Sequence, residues 1–165
     1  VYAVGGLTGF SLLAHTAIRE GEVAIEHIIS GAGHPMRYDA IPGVVYTHPE
    51  LAGVGATEEQ LQEWGTPYVE FKQRYADVAF GWALEDEGHF VKLLADPRTW
   101  HLLGAHIIGP QAATLIQPMI QAMSFGQTVQ ELALGQYWIH PALTEVLENA
   151  LLGLLKAPRP KELDA

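Results

Sequence analysis

The sequence contains no cysteine among its 165 residues. Without a thiol, the chain cannot form a disulfide, a zinc–thiolate site or an iron–sulfur cluster, and it carries no thiol chemistry of its own. It also lacks the Gly-x-Gly-x-x-Gly pattern that opens a dinucleotide-binding strand–turn–helix. These two absences exclude most redox and dinucleotide chemistry for the chain acting alone.

Positive charge is also scarce, because 9 Lys and Arg stand against 19 Asp and Glu, which gives a net charge of -10. Nucleic acids and anionic membranes attract proteins through a positive surface, so neither is an expected partner. No apolar run approaches the roughly 20 residues of a membrane span, and no basic segment precedes an apolar one at the start, as in a signal peptide. The sequence therefore predicts a cytoplasmic protein with one main folded domain.

A helix is predicted over residues 11–29, where small residues share one side and apolar contacts come from Ile18, Ile25 and Ile28. Two glycines and a His-Pro pair within residues 31–35 end this helix. A boundary is therefore expected near residues 31–40. The predicted units are residues 1–33, a main domain of residues 34–156 and a disordered tail of residues 157–165.

Short strands are predicted in the middle of the chain, over residues 44–46, 69–72, 89–95 and 102–108. The last two flank Asp96-Pro97-Arg98-Thr99, whose proline favours a turn between antiparallel strands. Between the first two strands, Thr57 followed by Glu58-Glu59-Gln60 is a capping-box signature for a short helix that Gly65 ends.

Two more helices are predicted after the hairpin. One covers residues 110–125, where Pro118 bends it or marks a later start, and Gly126 ends it. The other begins at Pro141 and has apolar residues at helical spacing on more than one side. Strands gathered in mid-chain with helices at both ends predict an α+β fold, an antiparallel sheet with helices on one face.

One histidine and one glutamate stand close together at the predicted start of the last helix. With Pro141 as the first helical residue, side chains tilt toward the N-terminus, so Glu145 can reach the imidazole of His140. A carboxylate on one ring nitrogen fixes the tautomer and leaves the other nitrogen free for acid–base chemistry. The same pair is also compatible with simple stabilisation of a helix start.

The other histidines and the tryptophans give weaker signals. His89, His101 and His106 lie around the predicted hairpin, and hydrogen-bonded or exposed strand histidines are more common than a metal site. The four tryptophans are interpreted as core or interface anchors and not as a ligand cage; they are Trp64, Trp82, Trp100 and Trp138.

Four blocks of the sequence resemble the pyridine-nucleotide disulfide oxidoreductase family, in the order in which that family has them. They are VYAVGGLTGFSLLAHTAIREGEVAIEHI, PGVVYTHPELAGVGATEEQ, FVKLLAD with LLGAHIIGPQAA, and GQYWIHPALTEVLENALLGL. Together they cover nearly all of residues 1–156. The segments FGWALED, IQPMIQAMSFG and GQYWIHPAL look most like the mycothione reductase branch.

The resemblance implies a dimerisation domain preceded by the terminal helix of an FAD-binding domain. It implies that His140 is the acid–base histidine, that Glu145 orients it, and that the pair serves the active site of the opposite subunit in a homodimer. The whole enzyme would use FAD and NAD(P)H to reduce a low-molecular-weight disulfide. Two alternatives stay open: the interface domain of a dihydrolipoamide dehydrogenase-like enzyme, and a non-catalytic module that only assembles with itself.

The first block resembles the end of the FAD domain, where a Gly-Asp pair contacts the flavin cofactor. Gly5 is present, but Gly6 stands where the aspartate belongs. By the same resemblance, the helix that borders the flavin ring is matched by Leu13, Ala14 and His15. Because the aspartate, the cysteine pair and the dinucleotide fingerprints are missing, we expect the chain to be part of a longer enzyme, to bind no cofactor alone and to be inactive alone.

Overall fold

A computed structural model describes residues 1–159 and divides the chain into two compact units, Val1–Ile41 and a second unit that begins at Pro42. The break follows the segment in which the sequence predicts a boundary. Of the predicted disordered tail, residues 160–165 lie outside the described residues. Among residues 1–159, no helix has the length and apolar character to cross a lipid bilayer.

The first unit contains a 3₁₀ turn, Gly5–Thr8, and one long helix, α1 (Ala14–Ser30). Helix α1 begins three residues later than predicted and ends, as expected, at a glycine, since Gly31 has a φ of 68°. The predicted apolar role of its isoleucines is wrong for this unit, because Ile18 is 65% exposed and Ile25 is 56% exposed. The side of α1 that the rest of the unit covers carries Thr16 and Glu20, both buried.

The second unit contains one five-stranded antiparallel sheet with the strand order β1-β2-β5-β4-β3. The strands are β1 (Gly43–Val45), β2 (Leu51–Gly55), β3 (Val69–Arg74), β4 (Phe90–Ala95) and β5 (Leu102–Ile108). The predicted β4–β5 hairpin is confirmed, and so is the α+β class. Strand β2 is absent from the sequence-based prediction.

The register of the strands explains how one face of the sheet becomes the core. Leu93 of β4 lies between Phe71 of β3 and Ala105 of β5, and Val91 is opposite Ile107. Because side chains alternate between faces along a strand, these apolar residues share one face. Leu93, Val91 and Ala105 are fully buried there.

Within residues 42–159, the second unit has six α-helices: α2 (Glu58–Glu63), α3 (Ala79–Ala83), α4 (Ala112–Leu115), α5 (Gln117–Phe125), α6 (Val129–Leu134) and α7 (Glu145–Lys156). Helix α7 packs on β3 and β4, α4 and α5 pack on β5, and α6 packs on α7. The predicted helix over residues 110–125 is thus two helices, and Pro118 lies in the first turn of α5. A proline fits there because the amide it lacks has no partner within the helix.

Helix α7 is the centre of this packing. Leu147, Leu151 and Leu154 have no exposed surface, nor does Met119 of α5. Each fully buried leucine contributes about 2 kcal/mol of hydrophobic stabilisation. The second unit thus covers these side chains itself, whereas Phe125 at the end of α5 is 80% exposed.

Candidate functional site

His140 and Glu145 form a direct hydrogen-bonded pair. The Nδ1 atom of His140 lies 2.6 Å from Oε1 of Glu145. The other carboxylate oxygen, Oε2, accepts a hydrogen bond from the backbone N–H of Ala142 at 3.1 Å. Both oxygens of Glu145 are therefore engaged, which fixes the position of the carboxylate under the imidazole.

The local structure that makes this contact differs from the prediction. Helix α7 begins at Glu145 and not at Pro141. The N–H groups of Glu145 and Val146 bond to carbonyls three residues back, those of Ala142 and Leu143, so the segment after His140 forms tight turns before the α-helix starts. Glu145 is thus in the first helical turn, and these turns bring His140 back to it.

Burial is unequal across the pair. The side chain of Glu145 is 15% exposed, whereas that of His140 is 69% exposed. The hydrogen bond from His140 is the largest of the effects that hold the pKa of Glu145 below its usual range; the Ala142 amide acts in the same direction, and burial opposes both.

The geometry leaves one nitrogen of His140 available. Nδ1 is bonded to the carboxylate, which makes Nε2 the atom through which an exposed imidazole can give or take a proton. Large apolar side chains are exposed along the segment that leads to it. They are Phe125 at 80%, Leu134 at 70%, Tyr137 at 102% and Ile139 at 73%.

The second set of predicted site residues belongs to the first unit. Gly5 is buried and has a φ of 71°, a left-handed conformation that favours glycine. Leu13 is the extended residue before α1, and Ala14 and His15 are exposed in its first turn.

The residues of this unit do not fit the flavin contact that the resemblance implies. Gly6 offers no carboxylate, and it is exposed. The buried carboxylate nearest in the chain, that of Glu20, accepts hydrogen bonds from Gly5 N–H at 2.6 Å and Tyr38 O–H at 3.0 Å. The Glu20 carboxylate therefore stabilises the fold of the first unit itself. Sequence reasoning missed Glu20, because one glutamate within a helix produces no pattern.

The strand histidines are hydrogen-bonded, as predicted. His89 Nδ1 lies 2.5 Å from Asp86, His101 Nε2 lies 3.2 Å from the Gly126 carbonyl, and His106 Nε2 lies 2.9 Å from that of Ala56. Within residues 1–159, no three His, Asp or Glu side chains are grouped so as to bind a metal ion. Two of the tryptophans predicted as anchors, Trp64 and Trp82, are 61% and 76% exposed and are not core residues.

Comparison with known proteins agrees with this architecture. The sequence profile described as "Pyridine nucleotide-disulphide oxidoreductase, dimerisation domain" matches residues 41–151. Mycothione reductase of Mycobacterium tuberculosis is 48% identical over 161 residues, which is 93% of this chain and 35% of that protein. Dihydrolipoyl dehydrogenase 1, mitochondrial, of Arabidopsis thaliana is 37% identical over 158 residues, which is 96% of this chain and 31% of that protein.

The crystal structure of LpdA from Mycobacterium tuberculosis superimposes with a TM-score of 0.86 at 27% identity, covering 93% of this chain and 33% of that one. The chain thus spans about a third of the length of the relatives it matches. With the profile covering most of the second unit, the chain belongs to the pyridine nucleotide-disulphide oxidoreductase family and contains its dimerisation domain.

Proposed function

We propose that this chain is the interface domain of an FAD-dependent, NAD(P)H-using reductase of a low-molecular-weight disulfide. In this proposal His140 and Glu145 act as an acid–base pair in the active site of the partner subunit of a homodimer. The observation that carries it is the 2.6 Å contact between an exposed imidazole and a largely buried carboxylate. Residues 1–33 would be the end of the FAD domain and residues 34–156 the interface domain.

The pair suits one step of disulfide reduction. When a thiolate attacks a disulfide, one sulfur–sulfur bond forms, the substrate's sulfur–sulfur bond breaks and a second thiolate leaves. Protonated His140 can give the Nε2 proton to that leaving sulfur and becomes neutral, while Glu145 holds the ring through Nδ1. The attacking thiolate would come from outside these 165 residues, which contain no cysteine, so we propose that the chain alone is inactive.

Among disulfide reductases, the mycothione reductase type is favoured. The 48% identity to the Mycobacterium tuberculosis enzyme exceeds the 37% identity to the plant dihydrolipoyl dehydrogenase over a similar span. The bacterial source of the first relative supports a cytoplasmic location. The second candidate function, a module that only self-assembles, is supported by the missing cysteines and by Gly6.

The test uses a chimera in which this chain, with Gly6→Asp, replaces the matching 161 residues of the Mycobacterium tuberculosis mycothione reductase. We expect His140→Gln to slow disulfide reduction by about 10²–10⁴-fold, since a positioned acid typically contributes that much. The flavin absorbance change on adding nicotinamide nucleotide without disulfide should keep its rate. Glu145→Gln should slow disulfide reduction in the same direction but less, because the acid itself remains.

His101→Gln is the matched control, because this exposed histidine has its Nε2 atom hydrogen-bonded to the backbone carbonyl of Gly126 in the same unit. It should leave both rates unchanged. If His140→Gln slows the two half-reactions equally, or slows neither, His140 has only a structural role in the turns before α7 and the acid–base proposal is wrong.

A further inference from the structure

The first unit buries a negative charge that the proposed acid–base chemistry does not use. Glu20, in the middle of α1, is 5% exposed. Burying a carboxyl group is unfavourable unless hydrogen bonds compensate for the lost water. Here the compensation comes from two hydrogen-bond donors: Gly5 N–H, which precedes α1 in the chain, and Tyr38 O–H, which follows it.

The Gly5–Thr8 turn is held at several points, and Glu20 supplies a side-chain hydrogen bond that links it to α1. Oε2 of Glu20 accepts from Gly5 N–H at 2.6 Å, a short distance for a charge-assisted bond. Within the turn, the Thr8 hydroxyl donates to the Gly5 carbonyl at 2.9 Å, and Gly9 N–H donates to the Gly6 carbonyl at 3.2 Å.

The two glycines of the turn face different constraints. Gly5 has a φ of 71°, and a Cβ there would lie 3.2 Å from the Cβ of Ala17. Gly6 lies outside the left-handed region, and a Cβ there would lie 3.3 Å from Cδ2 of Leu12. Leu12 is 84% exposed, so the end of its side chain is free to move. Position 6 therefore accepts a side chain if the end of Leu12 shifts slightly, whereas a side chain at position 5 is strained by the positive φ.

We infer that Glu20 is the positioning residue of the Gly5–Thr8 turn, and that the turn it holds accepts an aspartate at position 6 without rearrangement. The misfit with a flavin contact is then confined to one missing side chain. Neither the role of Glu20 nor the tolerance of position 6 depends on the proposed function.

Hydrogen exchange of single amides in the 165-residue chain, followed by NMR, tests this. In Glu20→Ala the Gly5 amide loses its acceptor, and we expect it to exchange at least about tenfold faster. In Glu20→Gln the side-chain oxygen can still accept from Gly5 N–H, and the side-chain NH₂ can donate to the Tyr38 hydroxyl oxygen. The Gly5 amide should therefore exchange within about threefold of its rate in the parent protein. Glu22→Ala is the control, because Glu22 lies on the same helix, is exposed and pairs only with Arg19.

Gly6→Asp should keep the Gly5 amide protected, while Gly5→Ala should expose the whole turn. The amide of Ala17, which bonds to the Leu13 carbonyl, reports whether α1 is still formed. If Glu20→Ala unfolds α1, the Glu20→Gln variant provides the test. A protected Gly5 amide in Glu20→Gln supports the inference. Loss of that protection while α1 stays folded overturns it. The inference is also overturned if the Gly5 amide exchanges at the same rate in Glu20→Ala as in Glu22→Ala, or if it loses protection in Gly6→Asp. Dimerisation and disulfide reduction do not enter this measurement, so it fails or succeeds independently of the proposed function.

Discussion

At the scale of single residues, the sequence predicts a contact between His140 and Glu145 but not how it is made. The structure has the contact, at 2.6 Å. The predicted route, a side chain leaning back along a helix from Pro141, is replaced by turns that end at Glu145. No local pattern distinguishes a proline that starts a helix from one that precedes a turn, because both require the same φ.

The pKa of Glu145 should depend on its hydrogen bond with His140. The folded pKa of Glu145 lies below its ordinary value, so its stabilising contribution is present above that ordinary value and is lost as pH falls through the lowered one. In His140→Ala we expect the Glu145 pKa to rise toward the ordinary value, though the Ala142 amide remains bonded.

Titration of the Glu145 side-chain carbon by NMR, in the parent and in His140→Ala, measures this directly. The stability gap between the two proteins should close at acid pH, once Glu145 is protonated in both. Identical titration curves would contradict the pairing.

At the scale of helices and strands, the sequence predicts those with strong hydrophobic periodicity or with clear capping and terminating residues. The capping box at Thr57 is present with both of its bonds, and Gly126 ends α5. Strand β2, LAGVG, was missed because small residues and two glycines look like a loop; it forms because β1 and β5 pair with it on both sides. Helix α6 could have been found, since Thr128 and Glu131 form a second capping box.

Two glycines in helices should respond to alanine in opposite directions. A Cβ on Gly153 of α7 would lie 2.3 Å from ring atoms of Phe71 on β3, so Gly153→Ala should lower the free energy of unfolding by about 1–3 kcal/mol. Gly21 of α1 has nothing within 4 Å of its Cβ position. Gly21→Ala should therefore stabilise α1 by roughly 0.5–1 kcal/mol.

Urea unfolding of the second unit and amide exchange in α1 check these two changes. Stabilisation by Gly153→Ala would mean that the Phe71 ring moves aside at no cost, and that α7 is less tightly packed on β3 than described.

Helix α1 should also be the least protected of the long helices. Its isoleucines are exposed and only Thr16 and Glu20 are buried, whereas half of the residues of α7 are buried. Local opening of α1 therefore exposes little new apolar surface and costs little free energy. The backbone amides of α1 should exchange faster with solvent than those of α7. Equal exchange rates would mean that contacts from outside the first unit protect α1.

At the scale of the whole molecule, charge and apolar surface favour different forms of association. A net charge of -10 keeps copies apart at long range. Against this, four large apolar side chains are exposed between the end of α5 and His140. Burial of such residues against a second copy is the main favourable term in protein association, and screening by salt weakens the repulsion.

We therefore expect the chain to form a two-fold dimer at micromolar concentration, through the segment that contains Tyr137 and Ile139. In a two-fold contact the same patch is used by both copies, so one charged substitution places two like charges in the interface. Ile139→Asp should give a monomer by sedimentation velocity, at 18.0 kDa. Trp64→Asp is the matched control: Trp64 is also a large exposed apolar side chain, at 61%, but it ends α2, far along the chain from this segment. It should leave the dimer intact. A parent chain that sediments as a monomer, or a dimer that survives Ile139→Asp, would show that the exposed segment before His140 does not hold the two copies together.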